Sequence, residues 1–285
     1  MEEVFRLDCA MVQETDWADE STGRRGPWDD MTPWYEKSFG LKYLELYAHR
    51  DEQGARDDIR SIVELVALSR DEPLLDLCCG AGRHLKVLRD MGFSRLVGLD
   101  LSKELLEVAA ERLAADDASN LTGQVQLVRA DMRFIPYANC FACILSLFTS
   151  FGYFEQDREN SAVLLAAHAS LKPGGIFLID YLSKDYIVAH LVACDEKTVG
   201  QRRIRNVRRL TDGARRVEKT ITITTGDGVA QEFLESVRLY SAEEMVAMLE
   251  DAGFVAIRTY GSLKGEPFTP ESERLVIVAQ KGQVG

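Results

Sequence analysis

The chain has 285 residues, which fits one large domain or one domain that carries a smaller insert. Its 34 Lys and Arg residues against 46 Asp and Glu residues give a formal net charge of −12, which disfavours a general nucleic-acid binder. A composition of 46% hydrophobic and 28% charged residues excludes a disordered chain and predicts a globular protein. No apolar run approaches the roughly 20 residues that span a bilayer, and the acidic N-terminus does not resemble a signal peptide, so we expect a cytoplasmic protein without a membrane segment.

The first 60 residues form the N-terminal segment, for which the pattern predicts a helical lid. Within residues 34–49, aromatic side chains recur at roughly helical spacing. Such a stripe packs on a core or closes over a cleft, and both interpretations stay open. The stripe consists of Trp34, Tyr35, Phe39, Tyr43 and Tyr47.

From residue 73 onward, short apolar runs alternate with amphipathic stretches, a pattern typical of β-α-β units. It predicts an α/β fold with a Rossmann-like, mostly parallel seven-stranded sheet whose last strand is antiparallel. Predicted strands cover residues 74–78, 95–100, 125–130, 141–147 and 175–180. Predicted helices cover residues 83–91, 103–115 and 160–171.

Beyond residue 194 the pattern changes to alternating β-branched and polar residues, interrupted by two Asp-Gly pairs. Asp-Gly is a strong hairpin signal, so we expect three antiparallel strands at about 203–211, 214–224 and 229–240. A capping box beginning at Ser241 then predicts a helix, and strands 255–260 and 274–280 complete the sheet. The expected organisation is a lid segment at 1–60, a core at 61–194, a β insert on the substrate side at 195–240 and a C-terminal part at 241–285.

The segment Asp76-Leu-Cys-Cys-Gly-Ala-Gly82 ends the first predicted strand and opens a helix. Gly80 and Gly82 allow a ligand to approach the backbone closely, and N–H groups at a helix start favour a polar or anionic ligand. A dinucleotide fingerprint requires a third glycine where Leu85 stands, which disfavours a nicotinamide enzyme.

Two acidic positions follow at the ends of the next two predicted strands. A carboxylate at Asp100 can accept hydrogen bonds from both hydroxyl groups of a ribose. The pair Asp131-Met132 offers a carboxylate and a backbone N–H that suit the edge of an adenine. Either acid alone could be a solvated strand-end residue or a helix cap, but three such segments in successive loops at one edge of the sheet favour a ligand site.

These motifs, in this order, resemble those of class I S-adenosylmethionine-dependent methyltransferases. The resemblance runs from about residue 73 to residue 180, and it is strongest to the small-molecule branch that is similar to ubiquinone and menaquinone biosynthesis methyltransferases and to glycine N-methyltransferases. The family's glycine-rich pattern, D-x-G-x-G-x-G, has Cys78 in place of its first glycine here.

The resemblance implies an enzyme that uses S-adenosyl-L-methionine and releases S-adenosyl-L-homocysteine. It places the methionine part at the loop after the first strand, the ribose at Asp100, and the adenine beside Leu101, Asp131 and Met132. Further cofactor contacts are implied at the end of the fourth strand. The implied cofactor residues are Asp76, Cys78, Cys79, Gly80, Ala81, Gly82, Asp100, Leu101, Asp131, Met132, Ser146 and Leu147.

Methyl transfer from a sulfonium mainly requires that the nucleophile be positioned, although a base assists some acceptors. Candidates for such a base are Tyr153, Tyr181 and His84, each of which also has an ordinary structural interpretation. Histidine and cysteine spacing predicts no metal site. A substrate pocket for a flat or partly apolar small molecule is expected from Tyr35, Tyr47, Phe148, Tyr153, Tyr181 and Tyr240.

The stretch 202–219 holds eight basic residues against two acidic ones. It is the solvated face of a hairpin or a surface for an anionic partner, which keeps an RNA or protein methyltransferase open as an alternative. A non-catalytic cofactor-binding scaffold is the second alternative. The leading hypothesis is methyl transfer to the N, O or C atom of a small-molecule acceptor. The acceptor and the oligomeric state do not follow from the sequence.

Overall fold

A computed structural model describes residues 33–41, 44, 52–114, 124–226 and 228–283. Helices α1 (Trp34–Ser38) and α2 (Glu52–Val66) precede the sheet. The first part of the core consists of β1 (Leu74–Leu77), α3 (Arg83–Asp90), β2 (Arg95–Asp100), α4 (Lys103–Ala114), β3 (Gln124–Arg129), β4 (Phe141–Ser146), α5 (Asp157–Ser170), β5 (Leu171–Leu182) and α6 (Lys184–His190). The chain continues with β6 (Cys194–Val199), β7 (Arg202–Thr211), β8 (Arg216–Thr224), β9 (Ala230–Arg238), α7 (Ala242–Asp251), β10 (Phe254–Tyr260) and β11 (Arg274–Lys281).

Seven strands form one sheet in the order β10-β11-β5-β4-β1-β2-β3. The pairs within β5-β4-β1-β2-β3 are parallel, and β11 runs antiparallel to both of its neighbours. The predicted fold class is thereby confirmed. The strand order reverses between β1 and β4, so the loops after these two strands diverge and leave a crevice at the carboxyl edge of the sheet.

Two hydrophobic clusters pack against the sheet. Strand β1, Leu-Leu-Asp-Leu, is buried along its whole length, as expected for a central parallel strand covered on both faces. One stripe of α2, formed by Ala55, Ile59 and Ile62, is fully buried in the second cluster. This helix crosses the expected boundary at residue 60, whereas the rest of the domain division stays a prediction.

The insert is a separate antiparallel sheet in the order β6-β7-β8-β9. It has four strands where the sequence predicted three. Strand β6 was missed because it is an exposed edge strand with almost no apolar residues, and so it lacks the alternation that marks a half-buried strand. The prediction also began β8 too early, because Ala214 has a φ of +62° and lies in the turn.

Buried polar contacts join the insert to the core at the end of β9. The guanidinium of Arg238, which is buried, lies 3.3 Å from a carboxylate oxygen of Asp157 at the start of α5. The hydroxyl of Tyr240 donates to the same oxygen at 2.6 Å and accepts from Asn160 at 3.0 Å. Tyr181, on β5, donates its hydroxyl to the carbonyl of Arg238. Because the buried side chains of Arg238, Tyr240 and Tyr181 are all partnered, β9 is held against the core at a defined position.

Replacing Gly152 with alanine tests how closely the loop after β4 packs on β9. Gly152 has a φ of +83°, and a Cβ atom there would lie 2.9 Å from the carbonyl oxygen of Arg238. We expect Gly152→Ala to lower the free energy of unfolding by about 2–4 kcal/mol, because the left-handed backbone and the overpacking each destabilise the folded state. Chemical denaturation measures the change. Gly213→Ala is the matched control, with a φ of +60° and open space around its Cβ position. Equal losses in the two variants would contradict the close packing.

Candidate active site

The glycine-rich loop between β1 and α3 adopts left-handed backbone at three positions. Cys78 has a φ of +63°, Gly80 of +53° and Gly82 of +70°. The two glycines reach this conformation without strain, whereas Cys78 does not. A Cβ atom on Gly82 would lie 2.9 Å from the Cβ of Ala109, so the glycine also lets the start of α3 approach α4. The sequence pattern expects glycine at position 78 for the same backbone reason.

Asp76 is a buried carboxylic acid at the base of this loop, with 2% of its surface exposed. Within the described residues, its Oδ2 atom has no hydrogen-bond partner. Burial, and secondarily the nearby carboxylate of Asp100, raise the pKa of Asp76 to about 7, and Arg83 opposes this only in part. A buried acceptor without a donor is costly, so this oxygen is matched to a ligand that brings a cationic or N–H donor.

Asp100 lies at the end of β2, next to the glycine-rich loop. Its Oδ2 accepts the Gly80 N–H at 2.8 Å, and its Oδ1 accepts the Ser102 N–H at 2.9 Å. Burial raises the pKa of Asp100, while the N–H donors of Ser102 and Gly80 act in the opposite direction. Each carboxylate oxygen has a second lone pair, so both hydroxyl groups of a ribose can still be accepted.

Asp131, just after β3, is held by a neighbour that the sequence analysis did not single out. Arg133 donates its backbone N–H to Asp131 Oδ1 at 2.8 Å and its guanidinium to Oδ2 at 2.6 Å. The same guanidinium reaches Glu159 on α5 at 2.7 Å and lies 4.2 Å from the ring centroid of Phe154. Arg133 therefore fixes the Asp131 carboxylate, and Met132 beside it is buried.

Ser146, the last residue of β4, and Leu147, the first residue of the following loop, are both buried. Phe148 and Thr149 follow with φ values of +56° and +61°. Asp180, at the end of β5, accepts the Phe148 N–H on Oδ2 at 3.1 Å and the Thr149 N–H on its carbonyl at 2.9 Å. The loop is thus tied to the next strand at two successive residues.

Charged and aromatic side chains surround the ring of Phe148. The guanidinium groups of Arg83 and Arg274 lie 4.7 Å and 5.2 Å from its centroid, and His84 stacks on it at 5.4 Å. Arg274 also pairs with Asp180 at 3.1 Å. Asp180 lies close to the carboxyl end of its strand, as Asp76 and Asp100 do, so the same signal could have found it. Arg274 lies almost 100 residues away and has no such signal.

An aromatic wall connects α1 to the other end of the same loop. The ring of Tyr153 lies 5.2 Å from that of Trp34 and 5.3 Å from that of Phe39, and Tyr35 meets Phe154 edge-on at 5.4 Å. The Trp34 indole N–H donates to the carbonyl of Tyr153 at 3.3 Å. The structure therefore brings Tyr35 and Tyr153, two of the predicted pocket residues, to one place.

Two other predicted site residues lie elsewhere. Tyr181 and Tyr240 are 1% and 2% exposed, and both hydroxyl groups are used in the junction between β9 and the core. Burial raises the pKa of each phenol well above its usual value of 10. These contacts argue against a base at Tyr181. His84 is buried in the first turn of α3, and Tyr47 falls outside the described residues.

Comparisons with known proteins are consistent with this geometry. Residues 74–175 match the sequence profile of a family described as "Methyltransferase domain". The chain is 28% identical over 241 residues to the dTDP-3-amino-3,4,6-trideoxy-alpha-D-glucopyranose N,N-dimethyltransferase of Streptomyces venezuelae, covering 81% of this chain and 92% of the relative. It is 25% identical over 212 residues to the cypemycin N-terminal methyltransferase of a Streptomyces species, covering 73% and 82%.

A solved structure shows the same fold. The S-adenosylmethionine-dependent methyltransferase from Clostridium acetobutylicum superposes with a TM-score of 0.71 at 19% identity, covering 84% of this chain and 95% of that one. The sheet order and the matched domain show the fold of class I methyltransferases. The matched domain, the named methyltransferase relatives and the shared fold support the expected enzyme, a methyltransferase that uses S-adenosylmethionine.

The described residues fit this cofactor. Its methionine part carries an ammonium group, the donor that the unpartnered Oδ2 atom of Asp76 lacks. In residues 33–41, 44, 52–114, 124–226 and 228–283, no cluster of three or more His, Cys, Asp and Glu side chains is arranged to hold a metal ion. Over the same residues, no helix is both long and apolar enough to span a bilayer.

Titration of Asp76 should be visible in the stability of the ligand-free protein. Between about pH 4 and pH 7 the folded protein keeps a proton that the unfolded chain loses, so the free energy of unfolding falls as pH rises, by at most about 1.4 kcal/mol per pH unit. Asp76→Asn removes this contribution, and the variant gains stability relative to the wild type across that window. Urea denaturation at a series of pH values measures it. Asp57→Asn, at an exposed carboxylate, is the control. Parallel pH curves for wild type and Asp76→Asn would contradict the assignment.

Proposed function

We propose that this enzyme transfers methyl groups to the amine nitrogen of a small-molecule acceptor of the amino-sugar class. The S. venezuelae relative is named for N,N-dimethylation of a dTDP-linked amino sugar, and the cypemycin enzyme for methylation at an N-terminus. An amine nitrogen is common to both acceptors. The sugar relative matches more of this chain, which favours the sugar over the peptide.

The observation that carries this proposal is the aromatic wall between α1 and the loop after β4. Helix α1 is fixed from two sides, because Trp34 bonds to Tyr153 and Ser38 Oγ donates to the carbonyl of Leu234 on β9 at 2.6 Å. Helix, loop and insert therefore meet beside the carboxyl edge of the sheet. An aromatic surface at this position suits a compact acceptor with apolar ring faces better than an extended polymer.

When bound, S-adenosylmethionine supplies a methyl group on a positively charged sulfur. With sulfur as its leaving group, the cofactor would supply that methyl group to the lone pair of the acceptor's nitrogen, and the methylated nitrogen would release its proton to water. We assign the ammonium of the cofactor to Asp76, its ribose to Asp100, and its adenine to Met132 and the Asp131 that Arg133 fixes. Tyr153 and His84 stay candidates for handling the proton.

The alternative of an RNA or protein substrate depends on the basic stretch of the insert. Several of its side chains form ion pairs, so much of its charge is already balanced. These pairs are Arg203 with Glu196, Arg208 with Asp195, Arg209 with Glu218, Arg215 with Asp157 and Lys219 with Glu235. They favour the interpretation of this stretch as a self-paired hairpin surface.

A radiolabel-transfer assay with paired acceptors tests the acceptor class. The purified enzyme receives methyl-labelled cofactor and a panel of dTDP-linked amino sugars, each beside the sugar nucleotide that carries a hydroxyl in place of the amine. We expect label only in the amine member of a pair, because the amine is the stronger nucleophile at neutral pH. A peptide with a free N-terminus and total RNA complete the panel. Label in RNA or peptide alone would support the alternative, and label in the hydroxyl partner would exclude an amine requirement.

The cofactor assignment predicts the effect of changing Asp100. Loss of two charged hydrogen bonds to a ribose at about 1.5–3 kcal/mol each should weaken S-adenosylhomocysteine binding at least tenfold in Asp100→Ala. Isothermal titration calorimetry measures the affinity, and circular dichroism checks that the variant is folded. Asp212→Ala, in the turn between β7 and β8, should bind as the wild type does. Unchanged affinity in Asp100→Ala would remove the ribose from this site.

A further inference from the structure

The backbone directly after β4 is left-handed at two consecutive residues that are not glycine. Phe148 has a φ of +56° and Thr149 of +61°. Thr149 is β-branched, and for such residues this region is a genuine outlier because the side chain crowds the backbone. Strained conformations of this kind concentrate at functional sites, where the surrounding structure enforces them.

Contacts from β5 and β11 enforce the conformation. Asp180 holds both N–H groups of the pair, one on its side chain and one on its carbonyl. Arg274 fixes the Asp180 carboxylate at 3.1 Å and lies against the Phe148 ring, which Arg83 and His84 also contact. The strained turn is thus built into the carboxyl edge between the cofactor loop and the end of β5.

Thr149 itself contributes little to this framework. Its N–H bonds to Asp180, but within the described residues neither its hydroxyl nor its carbonyl oxygen takes part in a hydrogen bond. The residue is only half-buried. Glycine would adopt the same backbone without strain, so packing and backbone geometry do not explain why a threonine stands here. Its oxygen atoms are left for a ligand.

We propose that Thr149 is an acceptor-binding residue, whose hydroxyl oxygen accepts an N–H of the acceptor amine and orients the nitrogen lone pair toward the methyl group. The proposal rests on the amine acceptor proposed above and adds the residue that positions it. On one side of Thr149, the neighbouring Phe148 contacts Arg83, which begins the helix after the glycine-rich loop. On the other side, the aromatic wall begins four residues later, at Tyr153. A hydrogen bond that fixes the nucleophile raises the rate by orientation.

Three variants at this position separate the hydroxyl from the strain. Thr149→Val keeps the shape and the branched side chain but lacks the hydroxyl, Thr149→Ser keeps the hydroxyl, and Thr149→Gly removes both the hydroxyl and the strain. Ala256→Gly is the matched control, since Ala256 has a φ of +50° on the exposed face of β10 at the far edge of the sheet. Each variant is examined by thermal unfolding, S-adenosylhomocysteine calorimetry and methyl transfer to the amine that the wild type uses.

We expect kcat/KM for the amine to fall about tenfold or more in Thr149→Val and Thr149→Gly, and to stay within about threefold in Thr149→Ser, from the loss of one hydrogen bond. Cofactor affinity should be unchanged in all three. Thr149→Gly and Ala256→Gly should each raise Tm by about 2–4 °C, because strain is released. A variant that is more stable yet less active is the mark of a functional strained residue, which a purely structural role does not produce.

Two results would overturn the proposal. Wild-type kcat/KM in Thr149→Val would show that the hydroxyl is not used, and a lower Tm in Thr149→Gly than in the wild type would show that the threonine serves the fold. Failure of the proposed function looks different, because the wild type itself would then bind cofactor but label no amine of the panel. In that case the assignment of Thr149 falls with it.

Discussion

The carboxyl edge of the parallel sheet gathers acidic side chains that must be satisfied away from bulk water. These are Asp76, Asp100, Asp131 and Asp180, which lie within two residues of the ends of β1, β2, β3 and β5. Backbone N–H groups serve Asp100, Arg133 holds Asp131, and Arg274 with the Phe148 N–H holds Asp180. One oxygen of Asp76 is left over. Because burial without a partner is costly, this edge is complete only with a ligand that carries a donor.

Buried charge also decides how the insert is attached. The Arg238 guanidinium, Asp157 and the Tyr240 hydroxyl satisfy one another where β9 meets α5, and Gly152 leaves room for the close contact. The loop that carries Gly152 also contains the strained pair Phe148 and Thr149, and its Tyr153 packs against Trp34 of α1. The end of β4, helix α1 and the insert are therefore connected through residues 148–153 of one loop.

Local patterns predicted much of this architecture. The apolar runs located the five parallel strands within a few residues, and the capping box at Ser241 is present with both of its hydrogen bonds. Strand β6 was not predicted, because an exposed edge strand does not require alternating apolar residues. Helix α5 begins at Asp157, three residues before the predicted start. There Asp157 contacts Arg238 and Tyr240, which lie about 80 residues further along the chain.

The sequence by itself determined the class of the sheet, the glycine-rich loop and the acids at Asp76, Asp100 and Asp131, because each depends on neighbours within one β-α unit. Only the tertiary structure decided which side chains those acids face. Tyr181 and Tyr240 lie in a buried junction and not in the expected pocket. Arg274 lies beside Phe148, and Tyr35 lies beside Phe154. Contacts between residues that are distant in the chain depend on how the elements pack, and no local spacing encodes them.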